Sequence, residues 1–394
     1  MKLDTTRPIP LLILGDGPDL HTGLGRIGHD LAWLLSSMPE FRVGYLGRQS
    51  MGRAKYPWAN YSYPESGQWG EHYLETAWED LSQGRRGVIF TIWDAHRLLW
   101  FADPQGIGGW LEKFLRSGKF ERWGYFMQDG DGVKSGCLPV EAAHIMSQYQ
   151  RVLLASKWAW EITRGELETV GIDWLPHGIN RSTFKPLDRL PLRSAWNLKD
   201  DDTLIGCVMS NQERKSWPVV MEAVSMLDSA YLWVHTDRMF GSWNLWALAK
   251  EYGLEDRLIV EDRALTDKEL ALRYCACDCT VLISGGEGFC YPVAESLSCG
   301  TPVVTGSYGA QAELCPSHLL ANPVAFEIRT NHNLRRAVYT GEKVAARLRW
   351  VVEEQRKARR GEVEPLDYSC YVEHLDWPLL SVQWKKWARG GLQA

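Results

Sequence analysis

No C-x-x-C pair occurs among the nine cysteines of this 394-residue chain. Neither a zinc ribbon nor a thioredoxin-like redox motif is therefore expected. No apolar run approaches the roughly 18 residues that a membrane-spanning helix needs, and the first residues lack a basic segment leading into an apolar core. Neither a secretion signal nor a membrane span is expected. The net charge is only -5, with a pI near 6.1. Such a balance supplies no global field to draw in nucleic acid or anionic membrane, although a local patch is still allowed. Internal repeats and low-complexity tracts are also missing. The densest cysteine group, "CACDC" with Cys275, Cys277 and Cys279, reads as buried small hydrophobes rather than metal ligands, because no histidine adjoins it. A reducing, cytoplasmic setting fits; for a viral protein it would be the host cytoplasm.

What is present is ordinary soluble composition, 45% apolar and 24% charged, in a chain long enough for two cores. Short apolar runs alternate with helical patterns throughout. "PLLILG", "RVGYLG", "GVIFTIW", "GYFMQ", "RVLLAS" and "VGIDWLP" predict strands; "GRIGHDLAWLLSS" and "KWAWEITRGELETVG" predict helices. The alternation restarts at "DTLIGCVMS" and continues through "AYLWVHTD", "DRLIVED", "CTVLISG" and "TPVVTG". The fold class is therefore α/β, built as two successive parallel units. The proline-bearing stretch "PHGINRSTFKPLDRLPLR" places the boundary near Leu187. Domains are expected at residues 1–187 and 188–371, and Trp377, Leu380, Trp384 and Trp387 mark a C-terminal helix in 372–394.

Gly23, Gly25 and Gly28 in "GLGRIG" have the spacing of a dinucleotide fingerprint. In that fingerprint the first glycine follows the strand at once. Here Asp16 to Thr22 intervene, and Arg48, compatible at best with NADP, stands where a ribose-binding carboxylate belongs. The segment reads as a glycine loop whose amides can approach an anion at a helix start, or as a loop that merely turns the chain.

The most informative segment is "SGGEGFCYPVAESLSCGTPVV". A strand ends in a glycine-rich turn, and Pro292 suits the first turn of the next helix. Freed amides and the helix dipole make a phosphate site there. Glu287 before the helix and Glu295 inside it would repel a diphosphate as direct ligands, so their partners are sugar and ribose hydroxyls. Glu295 taken alone reads equally well as a helix-dipole residue.

"EGFCYPVAES" resembles the E-x7-E signature of retaining glycosyltransferases of family four, whose GT-B architecture is two facing Rossmann-like domains with a C-terminal helix crossing back. "TGLGRIGHDLAWLL", "YFMQDGDG", "LPHGINRSTFKP", "SNQERKSWPVVMEAV" and "LWVHTDRMFGSW" resemble further family segments in the same order. The resemblance implies that Glu287 holds donor-sugar hydroxyls and Glu295 the ribose, while Lys215 with Arg214 neutralises the diphosphate. Gly23, Asn211, Gly288, Phe289 and Cys290 would contact the donor. It also implies retention without a metal or a covalent enzyme intermediate, a donor phosphate oxygen taking the acceptor proton, and domain closure that excludes water. No permanently bound cofactor is implied. The donor is a nucleoside diphosphate sugar; its base and sugar stay open on the residues, with a UDP-hexose such as UDP-glucose expected.

The sequence departs from the family pattern in three places, four residues in all. Ser210 stands where an arginine is common, Cys290 where glycine is usual, and Gln128 with Asp129 where many relatives have a histidine. Asp129 then becomes the candidate for contacting sugar or acceptor, although Asp-Gly-Asp-Gly also reads as a turn. Asp94 and His96 in "IWDAH" are further acceptor-side candidates.

The acceptor is a hydroxyl compound: a carbohydrate, a small molecule, or a hydroxylated nucleic-acid base as in viral DNA modification. Residues 41–64 carry four cations (Arg42, Arg48, Arg53, Lys55), no acids and six aromatics. Such interleaving suits a phosphate-bearing or stacked acceptor, or else a loop packing on its own domain. Two other readings stay open, a glycoside hydrolase using the same carboxylates and a non-catalytic nucleotide-sugar-binding protein.

Overall fold

The computed structural model describes residues 3–50, 55–65, 69–104, 109–167, 171–329 and 332–393. The chain divides into two compact units, residues 1–177 with 330–334 and 378–394, and residues 178–329 with 335–377. The stretch around Leu187 therefore lies inside the second unit, ten residues past the division.

The first unit is built on a parallel sheet of seven strands. They are β1 (Ile9–Asp16), β2 (Phe41–Arg48), β3 (Ala59–Asn60), β4 (Gly87–Trp93), β5 (Phe120–Phe126), β6 (Arg151–Leu154) and β7 (Gly171–Trp174), in the order β3-β2-β1-β4-β5-β6-β7. Every residue of β1 and β4 is buried, as expected of strands covered on both faces, whose sequences read as continuous apolar runs. Strand order reverses between β1 and β4, and it is at such a switch point, beyond the carboxyl ends of the strands, that open α/β sheets bind ligands.

Helix Gly23–Ser36 follows β1 after a six-residue loop. Thr22 caps it by accepting from Gly25 N at 3.0 Å, and Ile27, Leu31 and Leu35 bury one face. Gly28 serves close packing: a Cβ there would come within 1.9 Å of the Tyr45 hydroxyl, which donates to Asp16 O. The helix expected over "KWAWEITRGELETVG" is shorter than its pattern, Lys157–Thr163. Thr163 Oγ1 bonds Ala159 O at its last turn, a local competition that β-hydroxyl side chains offer the helix ladder.

Helix Trp377–Gln393 packs into the first unit from residue 378 on. Leu380, Trp384, Trp387 and Ala388 are buried. Trp384 Nε1 donates to Pro176 O at 3.2 Å, and the Arg151 guanidinium lies 4.2 Å from the Trp387 ring centroid while donating to Trp387 O.

The second unit holds a parallel six-stranded sheet, order β10-β9-β8-β11-β12-β13. Its strands are β8 (Leu204–Val208), β9 (Tyr231–His235), β10 (Leu258–Glu261), β11 (Cys279–Leu282), β12 (Val303–Gly306) and β13 (Leu320–Ala321). A two-stranded sheet, β14 (Ala325–Arg329) with β15 (Leu334–Val338), follows. Cys275, Cys277 and Cys279 are buried, Cys277 in a cluster with Leu198, Leu204 and Trp233. Burial pushes the Cys277 and Cys279 thiols up. Among the described residues no helix is long and apolar enough to cross a membrane.

Candidate functional site

The loops after β8 and β11 run side by side in the second unit. Lys215 and Ser284 form an antiparallel bridge, Ser216 N donates to Ile283 O at 2.9 Å, and Gly285 N donates to Arg214 O at 2.8 Å. This pairing carries Arg214 and Lys215 onto Glu287. Arg214 Nη1 lies 2.6 Å from Glu287 Oε1, and Lys215 Nζ bonds the same oxygen. Lys215 and Glu287 are buried. Burial pushes the Glu287 carboxyl upward, but the charges of Arg214 and Lys215 outweigh it and hold the pKa at about 2.

Helix Tyr291–Ser298 starts directly beyond, with Pro292 in its first turn. Its N-cap residue, Cys290, sits at φ 102° and makes no side-chain capping bond. A non-glycine residue rarely adopts such a backbone, which gives a physical reason why glycine is usual here. Burial pushes the Cys290 thiol up to about 12, so it is a packed neutral group. Gly288 and Phe289 are buried in the same turn. Glu295, buried within the helix, accepts from the Tyr274 hydroxyl at 3.0 Å.

Asn211 has internal partners. Its amide donates to Trp243 O at 2.8 Å and Arg238 O at 3.2 Å and accepts from Trp243 N at 2.9 Å. Both amide hydrogens are used, so Asn211 ties the loop after β8 to residues 238–243 and its side chain has no hydrogen left to donate.

Two supporting residues went unnoticed in the sequence. Gln311, fully buried, donates to Ser284 O and Tyr308 O and so props the turn before Glu287. Arg336 on β15, also buried, packs against Gly285: a Cβ on that glycine would lie 3.3 Å from the Arg336 Cβ. Neither lies in a motif, and only the fold brings them to the turn.

In the first unit, Asp94 and His96 stand just beyond β4 and Asp129 just beyond β5. All three line one pocket. In the Asp-Gly-Asp-Gly run Gly130 is a bend, and Asp131 braces the loop that follows by accepting from Gly136 N at 2.7 Å. Gly23 is exposed at the first position of its helix. Among the described residues of 41–64, most of the aromatic side chains pack inward. Phe41, Tyr45, Trp58 and Tyr63 are buried, Tyr56 stacks on Trp58 at 4.5 Å, and Tyr61 donates to Asp80. Arg48 lies 3.8 Å from Asp16 and 4.1 Å over the Trp69 ring. Lys55 is exposed; Arg53 lies outside the described residues.

The two sheets, their order and the closing helix match solved glycosyltransferases over nearly the whole chain. The fold is GT-B. Sucrose-phosphate synthase from Thermosynechococcus elongatus superposes with a TM-score of 0.72 at 16% identity, covering 97% of this chain and 98% of the other. The Anabaena protein HepE in complex with UDP-glucose gives 0.67 at 13% identity, covering 97% and 100%. Residues 188–320 match the family "Glycosyl transferases group 1". A D-inositol 3-phosphate glycosyltransferase of Mycobacterium marinum is 29% identical over 143 residues, which is 35% of this chain and 30% of that protein. The match thus spans about a third of that curated relative.

Proposed function

We propose that this protein is a retaining glycosyltransferase that moves a hexose such as glucose from a UDP-sugar to a hydroxyl acceptor. The observation that carries the reading is the convergence of Arg214 and Lys215 on buried Glu287 at the start of helix Tyr291–Ser298. In the reaction the C–O bond between the anomeric carbon and the diphosphate breaks, and negative charge grows on the leaving phosphate. Lys215, Arg214 and the amides of Gly288, Phe289 and Cys290 stabilise that charge, which fixed cations and helix N-termini do well in a dry site. Glu287, ionised at any working pH with its pKa at about 2, accepts hydrogen bonds from donor-sugar hydroxyls. Glu295 accepts from the ribose. A donor phosphate oxygen takes the acceptor proton, so the protein supplies no base. Gly23 contributes a backbone amide to the donor, and Asp94, His96 and Asp129 serve the acceptor. The UDP-glucose of the HepE complex supports the choice of donor.

A hydrolase needs one carboxyl protonated as general acid and one ionised; Glu287, clamped in its ionised form, fits only the second role, which leaves Glu295 to be the acid. A non-catalytic sensor would bind donor and release no UDP when acceptors are offered. Calorimetric titration with UDP and UDP-glucose, followed by UDP release with a panel of hydroxyl acceptors, tests the reading. Absence of UDP binding would overturn it, and binding without release would leave the sensor.

A further inference from the structure

A pocket open to solvent lies in the first unit at the C-terminal ends of β4 and β5. Its polar wall is made by Asp94, His96, Asp129, Glu141 and His332. Glu141 is in the first turn of helix Val140–Met146. His332 follows β14 in sequence yet belongs to the first unit. Its ring stacks on His96 with centroids 4.2 Å apart and planes at 23°, and its Nδ1 lies 2.8 Å from Glu141 Oε2. Stack and hydrogen bond fix both imidazoles and the carboxylate as one wall.

The charges of this wall decide what it can hold. Asp94, Asp129 and Glu141 bring three carboxylates. Arg97 is a permanent cation beside them, 3.2 Å from Asp94. Burial, helped by His332 and Arg97 and opposed by Asp94 and Asp129, holds His96 below the ordinary imidazole range, so its ring is neutral at pH 7. Ionised carboxylates only accept hydrogen bonds, and a phosphate brought among them would meet like charge. The ligand must therefore donate hydrogen bonds, as the hydroxyls of a sugar ring do. Met127, Ala142 and Leu334 supply apolar lining that suits the C–H face of a ring. The other candidate acceptor feature, the basic stretch of residues 41–64, has put most of its aromatics into the core.

We infer that this pocket binds an uncharged polyhydroxyl compound, a sugar or cyclitol bearing no phosphate, and that the His332–Glu141 pair sets this selectivity. Its role as the acceptor subsite rests on the glycosyltransferase reading above; the class of ligand rests on the pocket alone.

The test uses the full chain with UDP present. Saturation-transfer NMR compares myo-inositol and glucose with inositol 3-phosphate and glucose 6-phosphate, for wild type, Glu141→Gln and His332→Ala. Transfer from labelled UDP-glucose is measured in parallel. The unphosphorylated compounds should bind at least ten-fold more tightly than their esters. Glu141→Gln keeps the shape and removes a charge, so it should weaken polyol binding about five-fold and narrow the discrimination against esters. Melting temperature and UDP affinity should stay unchanged, which separates selectivity from a folding role. Esters bound as well as polyols, or polyol binding and discrimination untouched by both variants, would overturn the inference. Selective polyol binding with no transfer would uphold the ligand class and sink the transferase reading and the acceptor role with it.

Discussion

Lys215 and Glu287 come from loops after different strands and form a buried ion pair, and Arg214 reaches the same carboxylate oxygen at 2.6 Å. The pair holds the loops together and, under the proposed function, keeps an ammonium beside the donor diphosphate. Lys215→Ala should therefore weaken UDP binding at least ten-fold and slow transfer by roughly two orders of magnitude, the scale for losing a charge-stabilising group. Calorimetry and initial rates on a variant with a native circular dichroism spectrum check this. A folded variant with wild-type kinetics would take Lys215 out of the site.

Acid should loosen the second unit through Glu287. Its pKa, about 2 in the folded chain against an ordinary 4.5, is depressed. The stability it contributes is therefore fully present above the ordinary value and is lost as pH falls toward 2. At about 1.4 kcal/mol per pH unit this amounts to about 3 kcal/mol. Urea denaturation between about pH 5 and 2.5 should show a falling stability whose slope is reduced in Glu287→Gln. Equal slopes would assign the acid sensitivity to other carboxylates.

Cys290 at φ 102° offers a stability test of backbone strain. The left-handed region costs an ordinary residue about 1–2 kcal/mol, partly offset in glycine by its larger unfolded-state entropy. Cys290→Gly should raise stability by up to about 1 kcal/mol, and Cys290→Val should lower it by more than that, since a branched side chain tolerates positive φ least. Chemical denaturation of the two variants decides. Destabilisation by glycine would mean that packing of the buried thiol outweighs the strain.

The parallel α/β alternation could be read from the sequence because its strands are apolar runs buried on both faces, as in β1 and β4. Gly285, Gly286 and Pro292 punctuate the turn before helix Tyr291–Ser298, so that turn was legible too. Residues 41–64 show the limit. Composition reveals six aromatics but not which way they point, and four of them point into the core. His332 and Arg336 were silent because their significance lies in partners distant in sequence, Glu141 and Gly285. The "KWAWEITRGELETVG" helix forms at Lys157–Thr163 and stops short of its pattern at Thr163, whose hydroxyl bonds back to Ala159 O.

Arg336 brings a further cation to the turn before Glu287. It is buried and packs against Gly285, in the turn that leads to Glu287. Arg336→Ala should weaken UDP binding several-fold, with Arg336→Lys recovering part of the loss because a positive charge remains. Titration of both variants at matched ionic strength checks this. Equal UDP affinity in Arg336→Ala and wild type would restrict Arg336 to packing.

The last prediction separates a polyanionic acceptor from a neutral one. Arg48 is held between Asp16 at 3.8 Å and the Trp69 ring at 4.1 Å, and Arg97 shares both partners, at 3.9 Å from Asp16 and 5.0 Å from the ring. Asp16 also accepts from Trp93 Nε1 at 2.9 Å. These contacts knit the carboxyl ends of β1, β2 and β4 together. Arg48→Ala should accordingly destabilise the protein by about 1–2 kcal/mol, through a lost cation–π contact in a partly desolvated site. Lys55→Ala, on the exposed surface, should change stability by less than about 0.5 kcal/mol. Neither should alter the salt dependence of transfer. For an acceptor that engages no phosphate, rates between about 50 and 200 mM salt should vary less than two-fold, whereas several phosphate contacts would cost orders of magnitude over the same range through counterion release. A steep decline in wild type that flattens in Arg48→Ala or Lys55→Ala would restore a nucleic-acid acceptor and give residues 41–64 a binding role.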